Sequence, residues 1–343
     1  MEKDRKQKQT IFGSNIAELR EIATQLDLPA FTANQLADWF YKKHVTDFEE
    51  MTNLPKSVRQ KLTENFGTGL SLPEKVQISS DGTKKYLYRT NSGRFVEAAY
   101  IPDNKRHTLC VSTQVGCKMA CSFCMTARQG FQGYLTAGEI LNQVRSTPER
   151  HLLTNIVYMG MGEPFDNLHA TMKSLELLTA SYGFAMSPTR ITVSTIGIIP
   201  GMITFLQQSQ CHLAVSLHSP FEEDRIKLMP LQNIYKLSNL LDTIRNFDLP
   251  RQRRVSFEYI MFKGFNDTPR HVKELARALN GIRCRINLLR FHPIPESTLQ
   301  SSDDKTINWF RDALKEKGIM TTLRHSRGQD IDAACGLLST RER

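Results

Sequence analysis

Three cysteines fall within eight residues, at Cys117, Cys121 and Cys124 in the run GCKMACSFC. Thiolates at such short spacing in a loop can ligate iron–sulfur clusters or zinc. A structural zinc site normally takes four protein ligands, and only three cysteines are local here. Three thiolates on a [4Fe–4S] cube would leave one iron open to an outside ligand. The spacing therefore predicts such a cluster, and a zinc knuckle with a distant fourth ligand is the alternative.

A glycine-rich turn, GMGEP at residues 160–164, follows a predicted strand. Glycine lets the backbone approach a ligand closely, which makes Gly162 a candidate binding residue. Glu163 can accept a hydrogen bond from the same ligand. Alone, this pattern is typical of an ordinary tight turn, but it comes one strand–helix unit after the cysteines. We therefore assign Gly162 and Glu163 to a cofactor site.

Polar residues end the next two predicted strands. Ser194 ends one, and Ser216, Leu217 and His218 end the other, in the run LAVSLH. Alternation along a strand sends Ser216 and His218 to one face and Leu217 to the other. Each residue alone is typical of a satisfied core group. Their shared position at strand ends indicates the cofactor site again.

Two cysteines outside the cluster motif have surroundings that suggest chemistry. Cys110 lies in TLCVSTQVG, where alternation places it on a polar face. Cys335 lies in DIDAACGLL near the C-terminus, where small neighbours would leave its thiol accessible. Cys211 and Cys284 are instead predicted to be small buried hydrophobes at strand starts. An odd total of seven cysteines argues against a disulfide framework.

Six strand-like segments alternate with helical ones, which predicts a parallel sheet with right-handed crossovers. The predicted strands cover residues 107–115, 155–160, 190–195, 211–217, 253–261 and 284–291. The predicted helices lie near residues 137–147, 168–181, 199–208, 235–247 and 269–280. Such units form a doubly wound sheet or an incomplete barrel. Both bind ligands at the carboxyl ends of their strands, where the candidate residues lie.

The first part of the chain has a different pattern. Short amphipathic stretches predict helices, the first capped by Ser14 and the third following Pro55. The run GTGLSLPE at residues 67–74 is predicted to be a linker. We therefore expect a helical domain over residues 1–75 and a larger domain over residues 76–343.

The charge of the chain is uneven. Forty-five Lys and Arg against 35 Asp and Glu give a formal net charge of +10, while residues 1–70 are neutral. A basic surface favours nucleic acid as a partner, and simple solvated charge is the alternative. The arginines expected to contribute in the larger domain are Arg251, Arg253, Arg254, Arg283 and Arg285. In the helical domain the candidates are Lys42, Lys43, Lys56, Arg59 and Lys61.

The sequence has no apolar stretch long enough to cross a membrane, and its N-terminus is charged without a following apolar region. We therefore expect no membrane association, no secretory signal and a cytoplasmic location. We also expect a monomer.

Taken together, these residues resemble the RlmN/Cfr family of radical S-adenosylmethionine (SAM) enzymes, which methylate adenine in RNA. The resemblance covers nearly the whole chain. The matching motifs are FVEAAYIP, TLCVSTQVGC-x3-C-x2-C, MGMGEP, STIGIIP, SLHSP, EYIM and DIDAACG. It implies an α/β fold, a partial (β/α)6 radical SAM barrel with a small N-terminal helical domain that contacts RNA.

The resemblance also implies cofactors and their ligands. A [4Fe–4S] cluster would be held by the three clustered cysteines, and two molecules of SAM would be used per turnover. The residues implied to bind SAM are Gly162, Glu163, Ser194, Ser216, Leu217, His218 and His292. The family usually has asparagine where His292 stands, so this contact departs from the pattern. Histidine can still form a hydrogen bond there.

A two-stage use of SAM is implied for the reaction. Cys335 would take a methyl group from SAM, and a radical from a second SAM would remove a hydrogen atom from that methyl. The resulting carbon radical would add to adenine and link protein to RNA. Cys110 would release the product by forming a disulfide with Cys335, and Glu97 would accept a proton. Adenine C2 is not nucleophilic, which explains why direct polar transfer would fail.

The implied substrates are C2 of an adenine in the peptidyl transferase centre of 23S rRNA and in the tRNA anticodon loop. The implied electron donor is a flavodoxin or ferredoxin. STIGIIP is closer to the C8-methylating branch, whereas TARQGFQGYLT is C2-like, so C8 methylation is an alternative. More distant alternatives are a radical SAM enzyme acting on a peptide or small molecule, and a zinc-stabilised RNA-binding module.

Overall fold

The computed structural model describes residues 8–340. Residues 1–7 and 341–343, the outer ends of the two predicted domains, lie outside the described residues, as does most of the charged N-terminus. The first unit is helical and is closed by a short parallel strand pair. Its elements are β1 (Gln9–Thr10), α1 (Ile16–Gln25), α2 (Thr32–Ala37), α3 (Lys56–Asn65) and β2 (Phe66–Gly67). A π-helical segment, Asp38–Lys43, continues α2.

Helix α1 begins one residue later than the sequence suggested. Its cap is Asn15, whose side-chain oxygen accepts a hydrogen bond from the Glu18 backbone N–H at 3.1 Å. The Glu18 carboxylate accepts in return from the Asn15 backbone N–H at 2.9 Å. The prediction that Ser14 caps this helix is therefore wrong. Glu18 stands three residues after Asn15, the spacing of a reciprocal capping box.

The helical unit packs firmly against the larger one. Gly13 approaches Gly138 so closely that a Cβ on Gly13 would lie 2.4 Å from the Gly138 nitrogen. Lys173 pairs with Glu18 at 2.5 Å, and Arg145 donates to the backbone carbonyl of His44. The buried residues of both units belong to one continuous apolar core. The two units therefore form a single body.

Within the described residues, the larger unit holds a ten-stranded sheet with its helices and a small two-stranded sheet, β7–β8. Its elements are β3 (Lys75–Ile78), β4 (Lys84–Arg89), β5 (Phe95–Asp103), β6 (Arg106–Cys110), β7 (Gln114–Val115), α4 (Met125–Gln129), β8 (Gly133–Tyr134), α5 (Ala137–Arg145), β9 (Asn155–Tyr158), α6 (Leu168–Thr179), β10 (Ile191–Thr195), α7 (Ile199–Gln208), β11 (His212–Ser216), α8 (Glu222–Leu228), α9 (Leu237–Arg245), β12 (Val255–Met261), α10 (Pro269–Ala278), β13 (Cys284–Arg290), α11 (Asp304–Glu316) and β14 (Met320–Leu323).

The order of the large sheet is β14-β13-β12-β11-β10-β9-β6-β5-β4-β3. The strands from β6 to β14 are parallel, and β5, β4 and β3 extend the sheet as antiparallel strands. All six predicted parallel strands are present, although β6 ends at Cys110 rather than at residue 115. Strand β14 was not predicted, because it is short and has little burial. Among residues 8–340, no helix has the length and apolar composition that crossing a membrane requires.

The parallel strands curl into an open barrel. Arg324, directly after β14, reaches the Met159 sulfur, directly after β9, at 3.7 Å. Five strand spacings separate these strands in the sheet, about 24 Å if the sheet were flat. Only a curled sheet brings the two side chains into contact. The concave face of the sheet therefore lines the interior of this open barrel.

Alternation along the strands separates this interior from the outer core. Val193, Val215 and Phe257 point outward and belong to the apolar core under the helices. Ser194 and Ser216 each follow one of these valines, so their side chains point to the opposite face, the interior, and are half-exposed. The interior is therefore polar where the outer face is apolar, as expected for a barrel that holds a polar ligand.

Arg253 is expected to be a structural residue, not an RNA contact. It is buried, and its guanidinium donates to the backbone carbonyls of Leu206, Cys211 and Phe205 at 2.7, 3.0 and 3.2 Å. Arg253→Gln should lower the free energy of unfolding by about 2–4 kcal/mol, because buried carbonyls lose a charged donor. Urea unfolding would measure this, with the exposed Arg251→Gln as the control for charge. Equal stability of the two variants would contradict the assignment.

Candidate active site

The three clustered cysteines lie in the loop between β7 and α4, and Cys124 directly precedes α4. Burial raises the pKa of Cys117 to about 12 and that of Cys121 well above its ordinary value. Repulsion from neighbouring thiolates adds to both shifts, so the thiols are near one another. Three thiolates at this place need a positive centre to balance them.

The surroundings of these thiols fit an iron–sulfur cluster. Phe123, Leu228 and Met229 form an apolar shell against which Cys121 and Cys124 pack. Such a shell excludes water, and a thiolate is stable in it only beside a cation or a metal centre. Within residues 8–340, no three His, Cys, Asp or Glu side chains are close enough to hold a single metal ion. The donor set that would hold a cluster is Cys117, Cys121 and Cys124.

A buried arginine lies beside the cysteine loop. Arg225, on α8, is 1% exposed and donates to the backbone carbonyls of Ser216 and Leu217 at 2.9 and 2.5 Å. Burial lowers its pKa to about 10, and the Cys121 thiolate opposes that shift. Arg225 therefore joins the end of β11 to the cysteine loop and puts positive charge near the thiolates. Arg225 was not predicted as a site residue, because only the fold brings α8 to this loop.

His218 supports the same loop. Strand β11 ends at Ser216, and His218 adopts a left-handed backbone conformation, with φ of 55°. Its Nδ1 accepts from the Ile260 N–H at 3.1 Å, and its ring meets Phe123 edge-on with centroids 4.8 Å apart. Burial lowers its pKa to about 3, so the ring is neutral at neutral pH. The predicted alternation does not extend to His218, because the strand ends before it.

Glu163 connects the ends of two strands. Its carboxylate accepts from the Thr195 hydroxyl at 2.7 Å and from the backbone N–H groups of Ile196 and Phe165 at 2.9 and 3.1 Å. Burial nevertheless raises its pKa to about 7. The neighbouring Gly162 has φ of 97°, and a Cβ there would lie 2.5 Å from the Gln114 side chain. The glycine is thus required by packing against Gln114.

The other predicted cofactor residues lie at the same edge of the sheet. Ser194 and Ser216 face the barrel interior, whereas Leu217 is buried in the outer core and can offer only its backbone. His292 follows β13 and is buried, and burial together with Arg290 lowers its pKa. Neutral histidine can donate or accept a hydrogen bond. These residues share the carboxyl edge with the cysteine loop, and their binding role stays a prediction.

The segment that carries Cys335 is fastened along its length. Its backbone is held by α4: the Met125 N–H donates to the Gly336 carbonyl at 2.8 Å and the Thr126 hydroxyl to Leu338 at 2.6 Å. Upstream, the Asp330 carboxylate accepts from the Ser79 hydroxyl at 2.6 Å, in the β3–β4 turn. Cys335 itself is exposed between these attachments. A fixed segment therefore presents an accessible thiol beside the cysteine loop.

Cys110 and Cys335 come from distant parts of the chain and meet in the barrel interior. Cys110, at the end of β6, is buried in a small apolar cluster with Ala333. Burial raises its pKa to about 12, and the nearby Cys335 adds to the shift. Although Cys335 has exposed surface, desolvation by the surrounding protein raises the pKa of its thiol, and Arg324 opposes the shift. Arg324 lies 3.8 Å from Glu258, so a cation and a carboxylate adjoin the two thiols.

Glu97, on β5, holds the end of the same segment. Its carboxylate pairs with Lys85 at 3.1 Å and accepts from the Ser339 backbone N–H at 3.0 Å. Both charged side chains are buried. Burial raises the pKa of Glu97, and Lys85 opposes the shift. Glu97 was predicted as a site residue but Lys85 was not, because their pairing depends on the β4–β5 register.

Comparison with known proteins agrees with this arrangement. Residues 111–279 match the radical SAM superfamily, and residues 10–67 match the ribosomal RNA large subunit methyltransferase N-terminal domain. A Parabacteroides distasonis protein named probable dual-specificity RNA methyltransferase RlmN is 53% identical over 333 residues, 97% of each chain. A Nitratiruptor protein named dual-specificity RNA methyltransferase RlmN is 39% identical, covering 94% of this chain and 97% of its own. A radical SAM methyltransferase structure from Sphaerobacter thermophilus superposes with a TM-score of 0.90 at 39% identity, over 96% of this chain and 99% of that one.

Proposed function

The chain belongs to the RlmN family of radical SAM RNA methyltransferases, and we propose that it methylates C2 of an adenine in 23S rRNA and in tRNA. The predicted radical SAM barrel, [4Fe–4S] cluster and SAM cofactor are confirmed by the family and by the related structure. Family membership favours an RNA methyltransferase over the peptide, small-molecule and zinc-module alternatives. The dual specificity in the relatives' names supports two kinds of RNA substrate.

One observation carries the proposal for the reaction. Two thiols from distant parts of the chain, Cys110 and Cys335, lie near one another in the barrel interior, where Cys110 packs in a cluster with Ala333. A direct transfer from SAM to RNA would need neither. A transfer through a protein-bound methyl group needs one thiol to carry the carbon and a second to release it. The pair therefore supports the two-thiol route.

When bound, the cluster and SAM supply the methyl group and the radical chemistry that activates it. The proposed role of Cys335 is to hold the methyl carbon on its sulfur and present it to the adenine ring. The Cys110 thiolate then attacks the Cys335 sulfur, so that a disulfide forms and the electron pair of the broken sulfur–carbon bond passes to the transferred carbon, which takes up a proton and becomes the methyl group. Glu97 accepts the proton that leaves the adenine. Its raised pKa favours proton uptake.

The same proposal assigns the carboxyl edge of the barrel to SAM. Glu163 would pair with the SAM ammonium group, which favours its ionised form. The full set of proposed SAM-binding residues is Gly162, Glu163, Ser194, Ser216, Leu217, His218 and His292. A flavodoxin or ferredoxin would supply electrons to a monomeric enzyme in the cytoplasm. Residues 1–75 would contact RNA, and residues 76–343 would carry out the reaction.

The position of the methyl group on the adenine product tests the proposal directly. Purified, iron-loaded protein incubated with SAM, a reductant and 23S rRNA or tRNA should form 2-methyladenosine, measured by mass spectrometry of digested nucleosides. The C8 alternative predicts 8-methyladenosine, which chromatography separates from the C2 isomer. RNA from cells lacking the protein should lose the same nucleoside. A product at C8, or no methylated adenosine, would overturn the proposal.

A further inference from the structure

The amino end of the barrel interior is ringed by arginines. Two of them lie in the first two residues of a parallel strand, and the other two directly precede one. We call this set the arginine collar: Arg106, Arg190, Arg254 and Arg285. His212, the first residue of β11, lies level with them, and its Nδ1 accepts from the Arg254 backbone N–H at 3.1 Å. The collar is at the opposite end of the strands from the cysteine loop.

Because side chains alternate between the two faces of a strand, the collar residues can be compared with strand residues whose face is known. Arg106 is in phase with Cys110 on β6, and Arg254, whose carbonyl still accepts from the Leu213 N–H of β11 at 3.0 Å, continues the phase of Glu258. Arg190 ends the 3-10 turn that leads into β10. On β13, Arg285 is in phase with Asn287, whose side chain donates to Glu258 across the interior face. All of these partners face the concave side. The guanidinium groups of Arg106, Arg254 and Arg285 therefore face one opening.

The collar charges influence one another across the opening. Burial lowers the pKa of Arg106, and Arg324, Arg190 and Arg254 lower it further, while Asp103 opposes the shift. Burial and Arg254 likewise lower the pKa of Arg285, and Glu258 opposes this. Like charges held this close repel, and a bound anion would relieve that repulsion. The same repulsion acts on His212, whose pKa falls to about 4 through burial and neighbouring arginines.

Asp103 and Glu258 are near the collar, but neither forms a close ion pair with a collar arginine. Within residues 8–340, no collar arginine forms an ion pair inside 4.0 Å. The nearby acids have other contacts: Asp103 is 3.6 Å from Arg327, and Glu258 accepts from Ser256 and Asn287. Two arginines close to the collar residues in sequence already donate to backbone carbonyls. Arg253 is satisfied by buried carbonyls, and Arg283 donates to Leu249 and Pro250.

We infer that the arginine collar binds backbone phosphates of the RNA next to the target adenine, so that the RNA enters the barrel at the amino end of its strands. The inference rests on the proposed function. Guanidinium groups match phosphate oxygens with paired hydrogen bonds, and RNA offers several phosphates at once. The charge of Arg324 acts on both Arg106 and Cys335, so the collar and the thiol are near the same part of the interior. The base thus reaches the thiol while its phosphates stay at the rim.

The helical unit packs along α5 and α6, and its segment around Tyr41 and His44 reaches the amino end of the barrel strands. Phe184, in the connection between α6 and β10, packs against Tyr41 and His44 with ring centroids 5.7 and 6.2 Å apart. Arg190 lies a few residues further along this connection. An RNA held by the helical unit would therefore also pass over the collar.

Salt dependence of RNA binding tests the inference. The double variant Arg254→Gln/Arg285→Gln is compared with Arg270→Gln/Arg277→Gln, which removes equal charge from α10, where both arginines pair with glutamates. Affinity for an RNA stem–loop containing the target adenine is measured between about 50 and 200 mM salt. The slope of log affinity against log salt should fall by about 1 for each collar arginine and stay unchanged in the control.

The results of this experiment distinguish failure of the collar inference from failure of the proposed function. If the collar and control variants share the wild-type slope, the inference is overturned while the proposed function stands. If the wild-type protein neither binds nor methylates RNA, the proposed function itself fails. Iron content and 5′-deoxyadenosine formation from SAM without RNA should match wild type in the collar variant. Loss of either would mean that the collar supports the fold or the cofactor site, which also overturns the inference.

Discussion

Cys335→Ala is expected to stop the reaction before the RNA is touched. Cys335 is exposed in the barrel interior, on a segment fixed by α4 and by the β3–β4 turn. If its sulfur carries the methyl group, the variant should contain no protein-bound methyl and form no methylated adenosine. It should also form no covalent RNA adduct. Mass spectrometry of the protein and denaturing gels of protein purified with cellular RNA would measure both.

Cys110→Ala should fail at a later step. Cys335 would still take a methyl group and attack the adenine, because Cys110 is needed only to break the resulting bond. The variant should accumulate a protein–RNA crosslink that survives denaturation and disappears with ribonuclease. One thiol cannot perform both steps, since the Cys335 sulfur is bonded to the substrate carbon when release is due.

Cys211→Ala is the matched control for both variants. Cys211 is also a buried cysteine, but it lies in the outer apolar core just before β11. It should behave as wild type apart from a modest loss of stability. An adduct with Cys335→Ala, or none with Cys110→Ala, would reverse or remove the assigned roles. Mild destabilisation without an adduct in both variants would mean that the two cysteines only fill space.

Much of the fold followed from local sequence patterns. The six predicted parallel strands are all present, since buried parallel strands form apolar runs bounded by turns and helices. Strand β14 was missed because its four residues, MTTL, are mostly exposed and lack that signal. The cap of α1 was placed one residue early because Ser14 and Asn15 are both good caps. Only Glu18, which requires Asn15, distinguishes them.

The site was only partly predictable, because several of its contacts join distant segments. The cysteine spacing and the strand-end residues are local and were found. Arg225, Lys85 and Arg324 act through neighbours that only the fold brings close. The alternation of side chains leading into β12 could have separated the roles of Arg253 and Arg254. Arg254 shares the phase of Glu258 and faces the interior, whereas Arg253 is buried on the other side.

Cys121→Ala is expected to remove the iron–sulfur cluster. A four-iron cluster held by three cysteines loses a ligand it cannot replace, so iron should fall from about four per chain to near zero. The apolar shell of Phe123, Leu228 and Met229 offers no oxygen or nitrogen side chain as a substitute. Iron analysis and the visible absorption of anaerobically purified protein would measure the loss. SAM cleavage to 5′-deoxyadenosine should vanish with it.

Stability separates loss of the cluster from loss of the fold. The loop keeps attachments that do not involve Cys121, including the Ser122 N–H donated to the Leu228 carbonyl at 3.0 Å. The variant should therefore keep the circular dichroism of the cluster-free wild type. Cys211→Ala, the matched control, should retain full iron. Full iron and SAM cleavage in Cys121→Ala would refute the assignment of Cys121 as a ligand. Zinc in place of iron in the wild-type protein would restore the zinc-knuckle alternative, because the same thiolates bind either metal.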